Sequence, residues 1–132
     1  MKSKVVLGLR LILGLMLVVF GLNGFFQFLP TPPPTGEGAA YLGALAGTGY
    51  FFPFLKATEV LVGVSLLAGL YVPLTLVILA PISIHILLYH LFLDPSTLLV
   101  ALFIFAVNLG LGLSHLSAYK PLLTAKASNS GA

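Results

Sequence analysis

The sequence predicts an all-α integral membrane protein, a four-helix bundle with a short interfacial helix between the first and second helices. Hydrophobic residues make up 59% of the 132 residues and charged residues only 7%, with a mean hydropathy of +1.14. Soluble proteins average about 25% charged residues. So few charged residues cannot cover the surface of a soluble domain, which indicates that the apolar surface faces lipid. The apolar residues form four stretches of about 20, the length a helix needs to cross roughly 30 Å of hydrocarbon. Proline and glycine segments separate them.

The first predicted span covers residues 5–29. The segment PTPPPTGEG ends it, because proline lacks a backbone donor and disfavours helix in the residue before it. The connector contains AAYLGALAG, which is too short to span and is predicted to lie as a helix at the membrane interface. A cleaved signal peptide over residues 1–29 is the alternative, although its apolar stretch exceeds the usual length of about 7 to 15 residues.

The second and third predicted spans, residues 53–71 and 73–93, are joined only by a Tyr-Val-Pro turn and must form an antiparallel hairpin. Asp94 and Pro95 end the third span and begin the fourth, residues 96–117, since the first turn of a helix tolerates proline. Residues 1–119 are therefore predicted to form one transmembrane domain. Residues 120–132 are predicted to be a flexible cytoplasmic tail.

The distribution of charge predicts the orientation. Four spans place both termini on one side, whereas Glu37 and Asp94 fall on the other. Five basic residues lie at or near the side that holds the termini: Lys2, Lys4, Arg10, Lys120 and Lys126. Because cytoplasmic loops carry an excess of lysine and arginine, both termini are predicted to be cytoplasmic.

Composition also excludes several functions. The chain has no cysteine, so it can hold no disulfide, thiolate metal site or iron-sulfur cluster. Its basic residues form no stripe, which argues against nucleic-acid binding. His115 is predicted near the opposite face from the other two histidines, which argues against haem held by two histidines. Glu59 is the one acid within a span, which argues against a di-iron site. No metal site and no autonomous catalysis are predicted.

Polar side chains on three spans are predicted to share one layer near the outer face. At 1.5 Å per residue, Asn23 and Glu59 lie about 9 Å and His85 about 12 Å below the outer ends of their spans. Polar groups that face lipid cost several kcal/mol, so this layer should turn inward and form a pocket open to the outer face. The candidate ligand-binding residues are Asn23, Lys56, Glu59, His85, Tyr89 and His90.

The same layer has a structural interpretation. Lys56 and Glu59 share a helix face at i and i+3 and can pair directly, with Gly63 opening space beside Glu59. Lys56 can instead extend its ammonium to the headgroups. The amides and histidines can serve only to fasten helices together through hydrogen bonds. The sequence leaves open whether the layer binds a ligand or holds the bundle together.

A second polar set is predicted toward the cytoplasmic side, formed by Arg10, Asn108 and His115. Arg10 shares its helix face with Gly14, Gly21 and Gly24, whose spacing should bring that face close to a neighbouring helix. Snorkelling of Arg10 to the interface is the alternative.

Three segments occur in a characteristic order: LRLILGLMLVVFGLNGFF, TGYFFPFLKATEVLVGVSLLAGLYVPL and APISIHILLYHLFL. Over most of residues 7–93 this order resembles the DoxX-like family of small four-helix bacterial membrane proteins. The most specific element is Glu59, then Gly63, within a run that ends SLLAGLYVP. Arg10 and Asn23 also match the family pattern, whereas Gly24 stands where many members carry lysine or another large polar residue.

The resemblance implies a multi-pass protein of the bacterial inner (plasma) membrane. The family takes its name from a subunit of a thiosulfate-oxidising, quinone-reducing complex. The protein is therefore expected to be an accessory subunit of a quinone-linked oxidoreductase, with a quinone in the polar layer and a redox subunit as partner. Glu59 or His85 would carry protons. A non-enzymatic scaffold or anchor, including a homodimer, is the alternative. Solute transport is weaker, because four short helices leave little room for alternating access.

Overall fold

The computed structural model describes residues 3–31 and 33–127, and the part of the chain that it describes is helical. The helices are α1 (Ser3–Phe26), α2 (Gly36–Ala46), α3 (Phe51–Ala68), α4 (Val72–Phe92), α5 (Leu98–Ser114) and α6 (Leu116–Tyr119), with 3-10 turns at Pro95–Thr97 and Lys120–Leu123. Helices α1, α3, α4 and α5, the last counted with its preceding 3-10 turn, are long and apolar enough to cross a membrane. The predicted all-α four-helix membrane bundle is confirmed.

The four long helices pack in a ring. Helix α1 packs extensively on α3 and α4 on α5, while smaller contacts join α1 to α5 and α3 to α4. Leucines fill the interior, among them Leu13, Leu17, Leu66, Leu76, Leu79 and Leu111. The terminal end of the bundle holds the start of α1, the α3–α4 turn and the end of α5. The α2 end holds the end of α1, helix α2 and the α4–α5 turn.

Glycines bring the backbones of α1 and α3 into contact. A Cβ added at Gly63 would lie 2.7 Å from the Gly14 carbonyl oxygen and 2.8 Å from the Val18 nitrogen. A Cβ added at Gly21 would lie 3.0 Å from the Lys56 carbonyl oxygen. In lipid, where apolar burial supplies no driving force between helices, such close packing stabilises the pair. The predicted glycine face of α1 thus packs on α3. Helix α1 fills the space at Gly63 that was predicted to lie open beside Glu59.

Helix α1 ends three residues earlier than predicted. After Phe26, Gln27 adopts a left-handed backbone conformation with φ of 51°. The Asn23 side-chain oxygen accepts a hydrogen bond from the Leu29 N–H at 2.7 Å. This side-chain bond turns the chain out of the helix before the first proline, Pro30, is reached.

The α3–α4 turn is closed by hydrogen bonds around Ser65. Gly69, with φ of 72°, ends α3, and its N–H and that of Leu70 donate to the Ser65 carbonyl oxygen at 2.9 and 3.1 Å. The Ser65 hydroxyl donates to the Leu70 carbonyl oxygen and lies 2.7 Å from the Thr75 hydroxyl. Since glycine adopts the left-handed conformation without steric cost, this position favours it. The predicted antiparallel hairpin of α3 and α4 is present.

Side-chain hydrogen bonds close the α4–α5 turn at the α2 end, and another closes the terminal end of the bundle. Asp94 accepts from the Ser96 N–H at 3.2 Å, and hydrogen bonds from the Ser96 side chain and backbone hold the pKa of Asp94 below its usual range.

The Tyr119 hydroxyl donates to the Pro73 carbonyl oxygen at 2.8 Å, and burial raises the pKa of Tyr119. A 3-10 turn then continues through Leu123, so the segment predicted to be flexible from residue 120 begins with ordered structure.

Candidate functional site

The first polar cluster, called the ion-pair cluster, consists of Lys56 and Glu59 on α3. The Lys56 Nζ lies 3.5 Å from Glu59 Oε2. Glu59 is buried, with 3% of its surface exposed, whereas the Lys56 side chain is 25% exposed. The stem of Lys56 lies against Gly24 of α1, where no side chain intervenes. The ion pair therefore lies at the contact between α1 and α3 and neutralises the buried carboxylate.

Asn23 and its neighbours line a polar pocket of about 410 Å³ where the chain leaves α1. The pocket is formed by Asn23, Gly24, Gln27, Leu29 and Thr31. Asn23 uses its side-chain oxygen to cap the end of α1. Its contribution within the described residues is therefore to shape the chain where it leaves α1.

The second polar cluster, called the tyrosine–histidine cluster, joins α2 to α4. The Tyr41 hydroxyl lies 2.6 Å from His85 Nε2, and the Tyr41 ring stacks on Tyr89 with centroids 6.0 Å apart. The Tyr89 hydroxyl oxygen is buried and has no hydrogen-bond partner among the described residues. It points at Gly38, where an added Cβ would lie 2.8 Å from it. This cluster therefore contains a donor that no group in residues 3–31 and 33–127 uses.

His90 serves the turn that follows α4. Its Nδ1 lies 2.8 Å from the Asp94 carbonyl oxygen, and Thr97 Oγ1 lies 3.2 Å from the same nitrogen. Because a carbonyl oxygen can only accept, Nδ1 carries the proton. His90, which was predicted in the polar layer, therefore helps to close the α4–α5 turn.

The predicted layer is therefore not one site. Lys56 and Glu59 form one cluster and His85 and Tyr89 belong to another, while Asn23 and His90 bond to the turns that follow their helices. Within the described residues no hydrogen bond joins Lys56 or Glu59 to His85. The sequence interpretation did not include Tyr41, which supplies the partner of His85. Its signal was the Gly38-x-x-Tyr41 spacing, which places a small residue and an aromatic residue on one face of a helix. That face packs on the His85 and Tyr89 face of α4.

Asn108, predicted in a second set with Arg10 and His115, instead bonds to α4. The Asn108 side-chain oxygen accepts from the Ser83 hydroxyl at 2.8 Å, and its amide donates to the Leu76 carbonyl oxygen at 3.2 Å. Leu76 and Ser83 lie on either side of Pro81 along α4, and Pro81 removes one backbone donor from that helix. An apolar groove of about 270 Å³, with Ser83 and Asn108 at its polar part, lies between α4 and α5.

Arg10 and His115 both lie toward the terminal end. The Arg10 guanidinium lies against Gly69 in the α3–α4 turn. His115 separates α5 from α6, and its backbone N–H donates to the Gly112 carbonyl oxygen at 3.1 Å. No hydrogen bond among the described residues connects Arg10, Asn108 and His115 to one another.

Replacing Asn108 with leucine is expected to destabilise the α4–α5 pair by about 1 to 3 kcal/mol, because the Ser83 hydroxyl and the Leu76 carbonyl oxygen lose a buried partner. The free energy of unfolding is measured for the single variants Asn108→Leu and Ser83→Ala and for the double variant. A coupling energy of about 0.6 to 2 kcal/mol is expected. Strictly additive losses would contradict a direct bond between the two side chains.

No family model matches the chain, and neither does any curated protein or any solved structure. The resemblance to the DoxX-like family remains a prediction. The two polar clusters are therefore the features of the molecule from which a function can be inferred.

Proposed function

We propose that this protein is an accessory membrane subunit of a quinone-linked oxidoreductase complex, as its resemblance to the DoxX-like family implies, and that the tyrosine–histidine cluster binds the quinone headgroup. One observation carries the proposal: His85, bonded to Tyr41 at 2.6 Å, is exposed at the surface of a membrane span. At 1.5 Å per residue it lies about 11 Å from Phe92, the last residue of α4. A polar ring that faces lipid at this depth is unfavourable, and such residues mark binding sites and proton routes.

The donors of the cluster suit a quinone. Quinone carbonyls accept hydrogen bonds. The bond between Tyr41 and His85 uses one of the two protons of that pair and leaves one donor, and the buried Tyr89 hydroxyl is a second donor without a partner among the described residues. The stacked rings of Tyr41 and Tyr89 offer an aromatic face to a planar headgroup. A molecule dissolved in lipid reaches His85 from the side, without crossing the bundle core. The arrangement therefore favours an amphipathic aromatic ligand over a water-soluble one.

Proton handling falls to His85 in this proposal. A quinone, when bound, supplies two-electron, two-proton redox chemistry. The chain has no cysteine for a metal cluster, so a partner redox subunit must supply the electrons. His85 Nε2 faces Tyr41, and its other ring nitrogen makes no hydrogen bond among the described residues. An imidazole with one nitrogen on a phenol and the other free can pass a proton from one to the other.

The ion-pair cluster is separate from this proposed binding site. Lys56 and Glu59 pair within α3, and the Lys56 stem covers Gly24 of α1, the position where many DoxX-like proteins carry a lysine or another large polar residue. An ammonium from α3 therefore lies near the place of that polar side chain on α1.

The proposed location is the bacterial inner membrane, with both termini in the cytoplasm and the α2 end at the outer face. Of the described basic residues, Lys4, Arg10 and Lys120 lie toward the terminal end and Lys56 toward the α2 end, where Glu37 and Asp94 also lie. The positive-inside rule supports this orientation.

Replacing His85 with glutamine is expected to weaken binding of a short-chain ubiquinone analogue about tenfold. The substitution removes the bond between Tyr41 and the imidazole and so disrupts the donor pair. A tenfold change in affinity corresponds to about 1.4 kcal/mol. Binding is measured by calorimetry on the purified protein in nanodiscs. The matched control is His115→Gln at the terminal end of the bundle, which removes an imidazole outside the tyrosine–histidine cluster and should bind within about twofold of the native protein. Equal weakening in both variants, or no binding by the native protein, would contradict the assignment.

A scaffold or anchor role is the second candidate, and one observation favours it: the polar groups of the ion-pair cluster and the Asn108–Ser83 pair are satisfied within the chain. A pull-down of the tagged protein from native membranes in mild detergent distinguishes the two. Stoichiometric recovery of a redox subunit supports the proposed function and identifies the electron donor. Recovery of the protein alone, across several detergents, favours a self-contained structural role.

A further inference from the structure

Arg10 is a partly buried cation without a partner among the described residues. A Cβ added at Gly69 would lie 3.1 Å from both Arg10 Nη1 and Nη2, so the guanidinium lies directly on the α3–α4 turn. Its Nε is buried and makes no hydrogen bond, and no ion pair or hydrogen bond to Nη1 or Nη2 occurs within residues 3–31 and 33–127. Of its N–H donors, the one on Nε is buried and unused, which is unfavourable, whereas those on Nη1 and Nη2 can donate to a group outside the chain.

No acidic side chain of the chain is placed to neutralise Arg10. The three acids of the sequence are Glu37, Glu59 and Asp94, of which Glu37 and Asp94 lie at the α2 end and Glu59 lies near the middle of α3. Glu59 is the one on the helix that Arg10 meets, and at 1.5 Å per residue it lies about 15 Å along α3 from Gly69. Glu59 is also already paired with Lys56. An anion bound from outside the chain can supply the missing charge.

The platform beneath Arg10 is rigid. Gly69 ends α3 in the left-handed conformation, and a side chain there would meet the guanidinium. Ser65 holds the turn through its carbonyl oxygen and its hydroxyl, which bond to Leu70 and Thr75. The guanidinium lies on this turn, and its planar fork matches the geometry of a planar or tetrahedral oxyanion.

We propose that the Arg10 guanidinium binds a phosphate group at the terminal end of the bundle. Arginine binds phosphate oxygens through two parallel N–H donors. Arg10 lies near the level at which α3 ends and α4 begins, where the phosphates of a bilayer leaflet lie, and basic sites at such helix ends bind anionic headgroups. A phospholipid and free phosphate offer the same chemistry, and the experiment separates them. The inference holds for either orientation of the protein and does not depend on the quinone proposal.

The test uses native mass spectrometry of the purified protein in detergent, titrated with dioleoyl phosphatidylglycerol and dioleoyl phosphatidylcholine, which share acyl chains and differ in headgroup charge. The native protein is expected to bind the anionic lipid about tenfold more tightly, and Arg10→Gln is expected to remove that preference. Lys4→Gln is the matched control, because it removes the same charge from an exposed position on the same helix and should leave the preference within about twofold. Equal loss in both variants would overturn the proposal.

Free phosphate is tested by thermal unfolding in inorganic phosphate against chloride at equal ionic strength. Stabilisation by phosphate that Arg10→Gln abolishes, without a lipid preference, would assign the site to free phosphate. A lipid preference without that stabilisation would assign it to the headgroup. Should Arg10→Gln fail to fold, Arg10→Lys retains the charge and loses the two-pronged geometry, and a loss of several-fold in lipid affinity is expected. Unchanged affinity in Arg10→Lys would overturn the proposed geometry.

Discussion

Replacing Lys56 with methionine is expected to destabilise the bundle by about 3 to 5 kcal/mol, because it removes the cation from a buried carboxylate. Glu59 is 3% exposed, and Lys56, at 3.5 Å, is its ion-pair partner in the described part of the chain. Methionine keeps an unbranched stem that can still cover Gly24, so the change isolates the charge from the packing. The measurement is the free energy of unfolding of the purified protein in detergent, followed by circular dichroism.

A double variant shows whether the pair is the cause. Lys56→Met combined with Glu59→Leu replaces the ion pair by apolar groups, which is often neutral or stabilising for a buried pair, and should recover most of the loss. Lys120→Met removes an exposed lysine and should change stability by less than about 0.5 kcal/mol. A single Lys56→Met variant as stable as the native protein would mean that the lysine only extends to the headgroups.

The fold could be predicted because its determinants are local. A membrane span needs length and apolar composition, and both are visible in the sequence. The predicted spans and the helices agree to within a few residues. The end of α1 was misplaced because the Asn23 side chain bonds to the Leu29 N–H and turns the chain before the prolines do. Nothing in the apolar pattern signals that bond.

The Lys56–Glu59 pair could likewise be predicted, since i and i+3 neighbours on a helix meet whatever surrounds them. Two other pairs, Asn108 with Ser83 and His85 with Tyr41, could not be predicted from the sequence. Equal depth in the membrane does not place side chains together, because the rotation of each helix about its axis decides which neighbour it faces. This rotation directs Asn108 to Ser83 and directs His85 to Tyr41, a residue on a short helix whose docking is purely tertiary.

Replacing Gly63 with leucine is expected to lower the free energy of unfolding by about 3 kcal/mol or more, near the upper limit for overpacking a core. The atoms that a side chain would meet include backbone: the Gly14 carbonyl oxygen at 2.7 Å and the Val18 nitrogen at 2.8 Å from an added Cβ. Backbone in a helix cannot swing aside as a side chain can, so α1 and α3 must separate. Gly63→Ala should give a smaller loss of about 1 to 3 kcal/mol in the same measurement.

Gly8→Leu is the matched control for this crossing, because it adds the same side chain to α1 at a position with nothing within 4 Å of an added Cβ. Equal losses in the two leucine variants would contradict the close contact between α1 and α3. The crossing also places the Lys56 stem on Gly24, so separating the helices should loosen the ion-pair cluster. Gly63→Leu combined with Lys56→Met should therefore cost less than the sum of the single losses, since neighbouring changes that share a contact are not additive. Additive losses would show that the ion pair forms within α3 whether or not α1 is packed against it.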